Sequence, residues 1–113
     1  MGVFNGLFPI LEGKEEAGRS FATETVGARK AEFDALQARS NITRETWAMQ
    51  DTPMGSFMLV WFEGDVEKTF ADLATDSSEF ATWFRAQVQD VTGVDLSAPP
   101  AGPLPDVLVD WHA

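Results

Sequence analysis

The chain of 113 residues contains no cysteine. Disulfide bridges, thiolate metal sites and thiol nucleophiles are excluded with it, and so is a small disulfide-stapled secreted scaffold. Histidine occurs once, at His112, so no metal site and no cofactor held by His or Cys ligands is expected. Positive charge is scarce: 8 Lys and Arg stand against 18 Asp and Glu, a net charge of −10. That sign works against phosphate backbones and anionic membrane surfaces, so neither nucleic acid nor membrane is an expected partner. Long apolar runs are missing too. The strongest, Phe57 to Phe62, is far too short to cross a bilayer, and the opening MGVFNGLFPILEGKEE carries no basic leader. A cytoplasmic protein is the expectation. Walker, GxGxxG, zinc-spacing and EF-hand signatures are absent as well.

What is present suits one globular core. A hydrophobic share of 44% with 23% charged residues is ordinary for a folded domain of this length, so residues 1–113 are expected to form a single domain. Residues 3–11, VFNGLFPIL, read as a first strand punctuated by Gly13. From Lys14 to about Arg39 there is no proline and many good helix formers, which predicts one long helix with Gly27 marking a bend or a close backbone approach. Thr43 to Thr52 alternates, placing Glu45, Trp47 and Met49 on one side. Asp51-Thr52-Pro53-Met54-Gly55 supplies turn chemistry before the run Phe57 to Phe62, and the pair predicts a hairpin.

Asp65 is a good N-cap for a short helix with Val66, Phe70 and Leu73 on one face. Asp76 or Ser77 is placed to cap the next, in which Phe80, Trp83, Phe84, Val88 and Val91 recur at helical spacing before Gly93. Residues 97–105, SAPPAGPLP, hold four of the six prolines and predict an extended loop. Val107 to Trp111 then reads as a last strand.

This order is β-α-β-β-α-β, the ferredoxin-like α+β plan with a four-stranded antiparallel sheet in the order four, one, three, two. Strands one and three are expected at the centre, and both of their faces are apolar: Phe4, Phe8 and Ile10 against Val3, Leu7 and Leu11, and Met58, Val60 and Phe62 against Phe57, Leu59 and Trp61. Helices cover one face of such a sheet, so a homodimer joined through the other face is expected.

The segments FNGLFPILEGKEEAGRSF, TWAMQDTPMGSFMLVWFEG and SSEFATWFRAQVQDVTGVDL resemble a group of small bacterial proteins of the dimeric α+β barrel superfamily, distantly similar to antibiotic-biosynthesis monooxygenases. The resemblance spans nearly the whole chain. The superfamily also includes haem-degrading monooxygenases, mutarotases and dehydratases, so it implies a fold and a dimer rather than one chemistry. Its members often hold a small ligand between sheet and helices. The haem-degrading branch uses an Asn on the first strand, a Trp and a helical His. Asn5 and Trp61 match two of these, but the third helix has no His, which leaves the haem ligand unfilled.

Candidate residues follow. Trp47 and Trp61 lie on strands able to line an aromatic ligand pocket, whereas Trp83 reads as core. Arg29 and Arg39 are candidates to anchor an anionic group if one turns inward, and otherwise to form surface ion pairs. His112, beside Trp111, is a candidate acid or base if the last strand reaches the barrel mouth. Three functions remain open: a homodimer binding a small, partly apolar molecule near Trp47, Trp61 and strand one; a cofactor-independent monooxygenase in which Asn5, Trp61, His112 or an arginine assists deprotonation; and a structural or partner-binding dimer with a solid barrel.

Overall fold

The computed structural model describes residues 2–100 and 102–113. Three strands and four helices follow in the order β1 (Gly2–Pro9), α1 (Glu15–Thr25), α2 (Lys30–Arg39), β2 (Arg44–Thr52), β3 (Gly55–Gly64), α3 (Val66–Thr75) and α4 (Glu79–Thr92). The sheet is antiparallel in the order β1-β3-β2. The protein is therefore α+β, with β3 at the centre.

The expected hairpin forms around Pro53 and Met54, with Thr52 paired to Gly55. The Thr52 hydroxyl ties the turn by donating to the Gly55 carbonyl at 2.7 Å and accepting from the Met54 amide at 3.1 Å. Asp65 caps α3 by accepting from the Lys68 amide at 3.1 Å, and Gly93 ends α4 with φ of 77°, as their positions in the sequence imply. The cap of α4 is Ser78, not Asp76 or Ser77: its hydroxyl accepts from the Ala81 amide at 3.1 Å. Asp76 instead accepts from the Ser78 amide and from Arg39, fixing the corner that presents Ser78. Arg85 closes the same corner, donating to the carbonyls of Leu73 and Asp76, each at 2.7 Å. These are carbonyls that the end of α3 leaves without helical partners.

Two expectations are corrected. The long helix breaks at Val26–Arg29 into α1 and α2. At Gly27 a Cβ would stand 2.6 Å from the Thr23 carbonyl oxygen, so the backbone crosses itself too closely for a side chain and the chain turns there. The fourth strand does not form: no strand pairing includes Val107 to Trp111, and residues 102–113 are exposed throughout. Pro99, Pro100, Pro103 and Pro105 stiffen the approach and remove ladder donors. Among the described residues the sheet thus has three strands, and the outer edge of β1 is open.

The core lies between one face of the sheet and the helices. Phe4, Met58 and Phe62 are buried on that face. Opposite them Phe21 of α1, Leu36 of α2, Leu73 of α3, and Phe80 and Phe84 of α4 pack into one cluster with Phe33, Trp47 and Trp83 at its margin. The helix stripes that the apolar spacing marks out meet here. On the other face Leu7 is 61% and Leu59 42% exposed, with Val3, Phe57 and Trp61 partly covered. No helix packs on that side among the described residues.

Candidate functional site

The inner face of the sheet and the helices leave a cavity of about 90 Å³ between them. Alternation along the strands decides what borders it. Phe4 and Phe8 of β1, Glu45 and Trp47 of β2, and Met58, Val60 and Phe62 of β3 point inward. Phe21, Phe33, Gln37, Phe70 and Phe84 close it from the helices. Gly6 makes room between two of the wall residues: a Cβ there would stand 2.6 Å from the Phe4 ring and 2.7 Å from the Phe8 ring.

Four rings form the wall nearest β2. The centroid of Trp47 lies 5.1 Å from that of Phe21, 5.9 Å from Phe84 and 6.2 Å from Phe33, and Phe21 and Phe84 are 5.1 Å apart. Most of these pairs are tilted or edge-on, the arrangement that aromatic quadrupoles favour. Such a wall is almost free of polar atoms.

Its one ionisable group is Glu45. The indole N–H of Trp47 donates to Oε2 at 2.6 Å and the Gln37 side-chain amide donates to Oε1 at 2.7 Å. Burial pushes the carboxyl pKa up from its ordinary 4.5, while the Trp47 and Gln37 hydrogen bonds pull it back down. No cation pairs with Glu45 within ion-pair distance among the described residues. A half-buried carboxylate without a counter-charge retains a large electrostatic demand.

The candidates named from sequence fall in different places. Trp47 lines the cavity. Trp61 and Asn5 are brought together as cross-strand partners, but on the outer face of the sheet, away from the cavity, where the Arg44 guanidinium sits 5.9 Å from the Trp61 ring centroid. Arg29, at the start of α2, forms a two-pronged pair with Glu79 of α4 at 2.8 and 3.0 Å, contacts Glu24 at 3.2 Å and lies 4.3 Å above the Trp83 ring. It fastens the break between α1 and α2 to the start of α4, and these carboxylates raise its pKa. Arg39 pairs with Asp76 at 2.9 Å. His112 is exposed and lies 3.1 Å from Asp110. None of Asn5, Trp61, Arg29, Arg39 and His112 borders the cavity.

Glu45 is the ionisable cavity residue that is not among the candidates named from sequence. The signal was available, because a charged residue shared the apolar side of an alternating strand with Trp47 and Met49. No helix is long and apolar enough to cross a membrane, and no cluster of His, Asp and Glu suited to a metal ion occurs, among the described residues. No family model matches the chain, nor does any curated protein or solved structure.

Proposed function

We propose that the protein is a homodimer, each subunit of which binds a small, mainly apolar molecule in the cavity between sheet and helices. The observation that carries the binding is the cavity itself, apolar over most of its wall and furnished with one oriented carboxylate. Ligand sites commonly combine an apolar enclosure with a few fixed polar groups. A volume of about 90 Å³ is smaller than the roughly 150 Å³ apolar cavity that admits benzene. The ligand, or the part that enters, is therefore a short branched chain or a group of similar size.

The second copy is supported by apolar surface that the single chain leaves bare. Leu7 and Leu59 are exposed on the outer face, and Leu108, Val109 and Trp111 on the carboxyl-terminal arm are 90%, 82% and 78% exposed. Apolar patches of this kind mark interaction surfaces. The arm would complete a four-stranded, ferredoxin-like sheet at the open edge of β1, and the outer face would meet its own copy, an isologous contact.

Native mass spectrometry of freshly purified protein tests the assembly, and the expected result is a dimer. A monomer at micromolar concentration would overturn it. Titration with isobutanol, followed through the Trp47 indole N–H cross-peak, tests the cavity. A saturable shift is expected, and its absence up to the solubility limit would refute the binding site.

A further inference from the structure

Resting on the cavity reading above, we infer that the ligand is a small organic cation: an ammonium group on a short apolar body, seated against Glu45 and the aromatic wall of Trp47, Phe21, Phe33 and Phe84. Three independent features converge on this chemistry. Glu45 borders the cavity as its one ionisable side chain and has no cationic partner among the described residues. Gln37 and Trp47 hold the carboxylate by one donor on each oxygen, which orients it and still leaves lone pairs for a further donor.

Trp47, which hydrogen-bonds the carboxylate, lies 5.1 to 6.2 Å from the rings of Phe21, Phe84 and Phe33. Aromatic walls attract ammonium groups through the negative faces of their rings, and more strongly once water is excluded. An anion of the same shape meets the opposite situation. It would be placed beside an uncompensated carboxylate in a poorly solvated enclosure. The net charge of −10 acts in the same direction at longer range, concentrating cations around the molecule and depleting anions.

Around Glu45 are Gln37 from α2 and Trp47 from its own strand, which hydrogen-bond it, Phe62 across the ladder, and the other residues that line the cavity. None of them titrates. The pH dependence of ligand choice inside the cavity is therefore that of Glu45 alone. Protonation removes the attraction for the cation and leaves the apolar enclosure unchanged. A bound ammonium has the reciprocal effect and draws the Glu45 titration downward.

The experiment compares three isosteres: isobutylamine, isobutanol and isobutyrate, each titrated into the full chain and its Glu45→Gln variant at neutral pH. Binding is followed through the Trp47 indole N–H cross-peak. In the wild type the amine is expected to bind about tenfold tighter than the alcohol or better, equivalent to about 1.4 kcal/mol, with isobutyrate weakest. In E45Q the amine and the alcohol are expected to bind within about threefold of each other. Equal binding of amine and alcohol by the wild type, or an amine preference that survives in E45Q, overturns the inference and leaves the cavity reading standing. Failure of all three to bind overturns the cavity reading itself. Should E45Q not fold, the wild type titrated at pH values below and above the Glu45 midpoint gives the same decision. The amine preference must vanish on the acid side, and one that persists there refutes the role of the carboxylate.

Discussion

The indole N–H of Trp47 donates to the Glu45 carboxylate at 2.6 Å, two residues away on the same face of β2. The strand pleat puts both side chains on the core side, so the carboxylate is carried into an aromatic enclosure together with one of its own donors. Gln37 of α2 supplies the other at 2.7 Å. Neither donor carries charge, and burial still dominates, raising the Glu45 pKa.

The raised pKa fixes the sign of a stability effect. The folded chain holds the Glu45 proton more tightly than the unfolded one, so this contribution is full below the ordinary carboxyl pKa and is lost as pH rises through the raised value. Asp76, Glu79 and Asp95 act in the opposite sense. Asp76 is held low chiefly by the Ser78 amide, Glu79 by Arg29 and Asp95 by Ser97, so their contributions are present at higher pH and lost as pH falls. Replacing Glu45 with Gln removes the first effect and leaves the others. Urea unfolding should show E45Q gaining on the wild type between about pH 4 and about pH 7. A difference that stays flat across that range would mean the carboxyl titrates normally.

The two strand tryptophans should separate cleanly. Trp47→Phe keeps a ring in the wall but removes a donor from the buried carboxylate, and is expected to lose about 1 to 3 kcal/mol in equilibrium unfolding. Trp61→Phe, on the outer face beside Arg44, is expected to change the stability of the isolated subunit by about 0.5 kcal/mol or less. Equal losses at the two positions would mean that the indole N–H of Trp47 contributes nothing.

A third expectation concerns the end of β3. A Cβ at Gly64 would stand 2.8 Å from Ile42 Cγ1 and 2.9 Å from the Ile42 Cα, with the Asn41 carbonyl oxygen at 3.2 Å. The obstacle includes main chain, which cannot give way as a side-chain tip can. Gly64→Ala should therefore destabilise by about 1 to 3 kcal/mol. Gly102→Ala meets nothing within 4 Å and serves as the control, with a change of about 0.5 kcal/mol or less. Similar midpoints for the two variants would show that Ile42 moves aside.

Much of this arrangement is legible in the sequence because local periodicity and burial coincide. The spacing of Phe80, Trp83, Phe84, Val88 and Val91 marks α4, the alternation Glu45-Trp47-Met49 marks β2, and Asp65 and Gly93 mark helix ends. Gly27 marks where the first helical stretch bends, but not that the bend is a full break into two helices. Helix propensity on both sides of it is high, so the pattern reads as one helix, while the missing Cβ at Gly27 permits the close approach of the Thr23 carbonyl oxygen. Val107 to Trp111 has the composition of a strand but pairs with no other, because composition says nothing about whether an edge lies within reach in the same chain. Glu45 was visible as a charge on an apolar strand face. Its partner Gln37 was not, since pairing a helix residue with a strand residue eight positions away depends on how the intervening turn packs.

The arm offers the sharpest separation between folding and assembly. Residues 103–113 are exposed throughout and enter no strand pairing, and within them Leu108 and Val109 are almost wholly exposed. Removing them by a stop at Pro103 takes away little that the subunit buries, so the urea midpoint of the isolated subunit should move by an amount equivalent to about 0.5 kcal/mol or less. If the arm serves the second copy, the same truncation must weaken the dimer by far more. It strips Val107, Leu108, Val109 and Trp111 from the contact, and large apolar anchors commonly carry most of an interface's energy. Sedimentation of the truncated chain should then show a dissociation constant raised about a hundredfold or more, equivalent to about 2.8 kcal/mol. A truncated chain that dimerises unchanged would confine the interface to the outer sheet face of Leu7, Leu59 and Trp61. One that loses stability as a monomer would instead mean that the arm folds back on the open edge of its own β1.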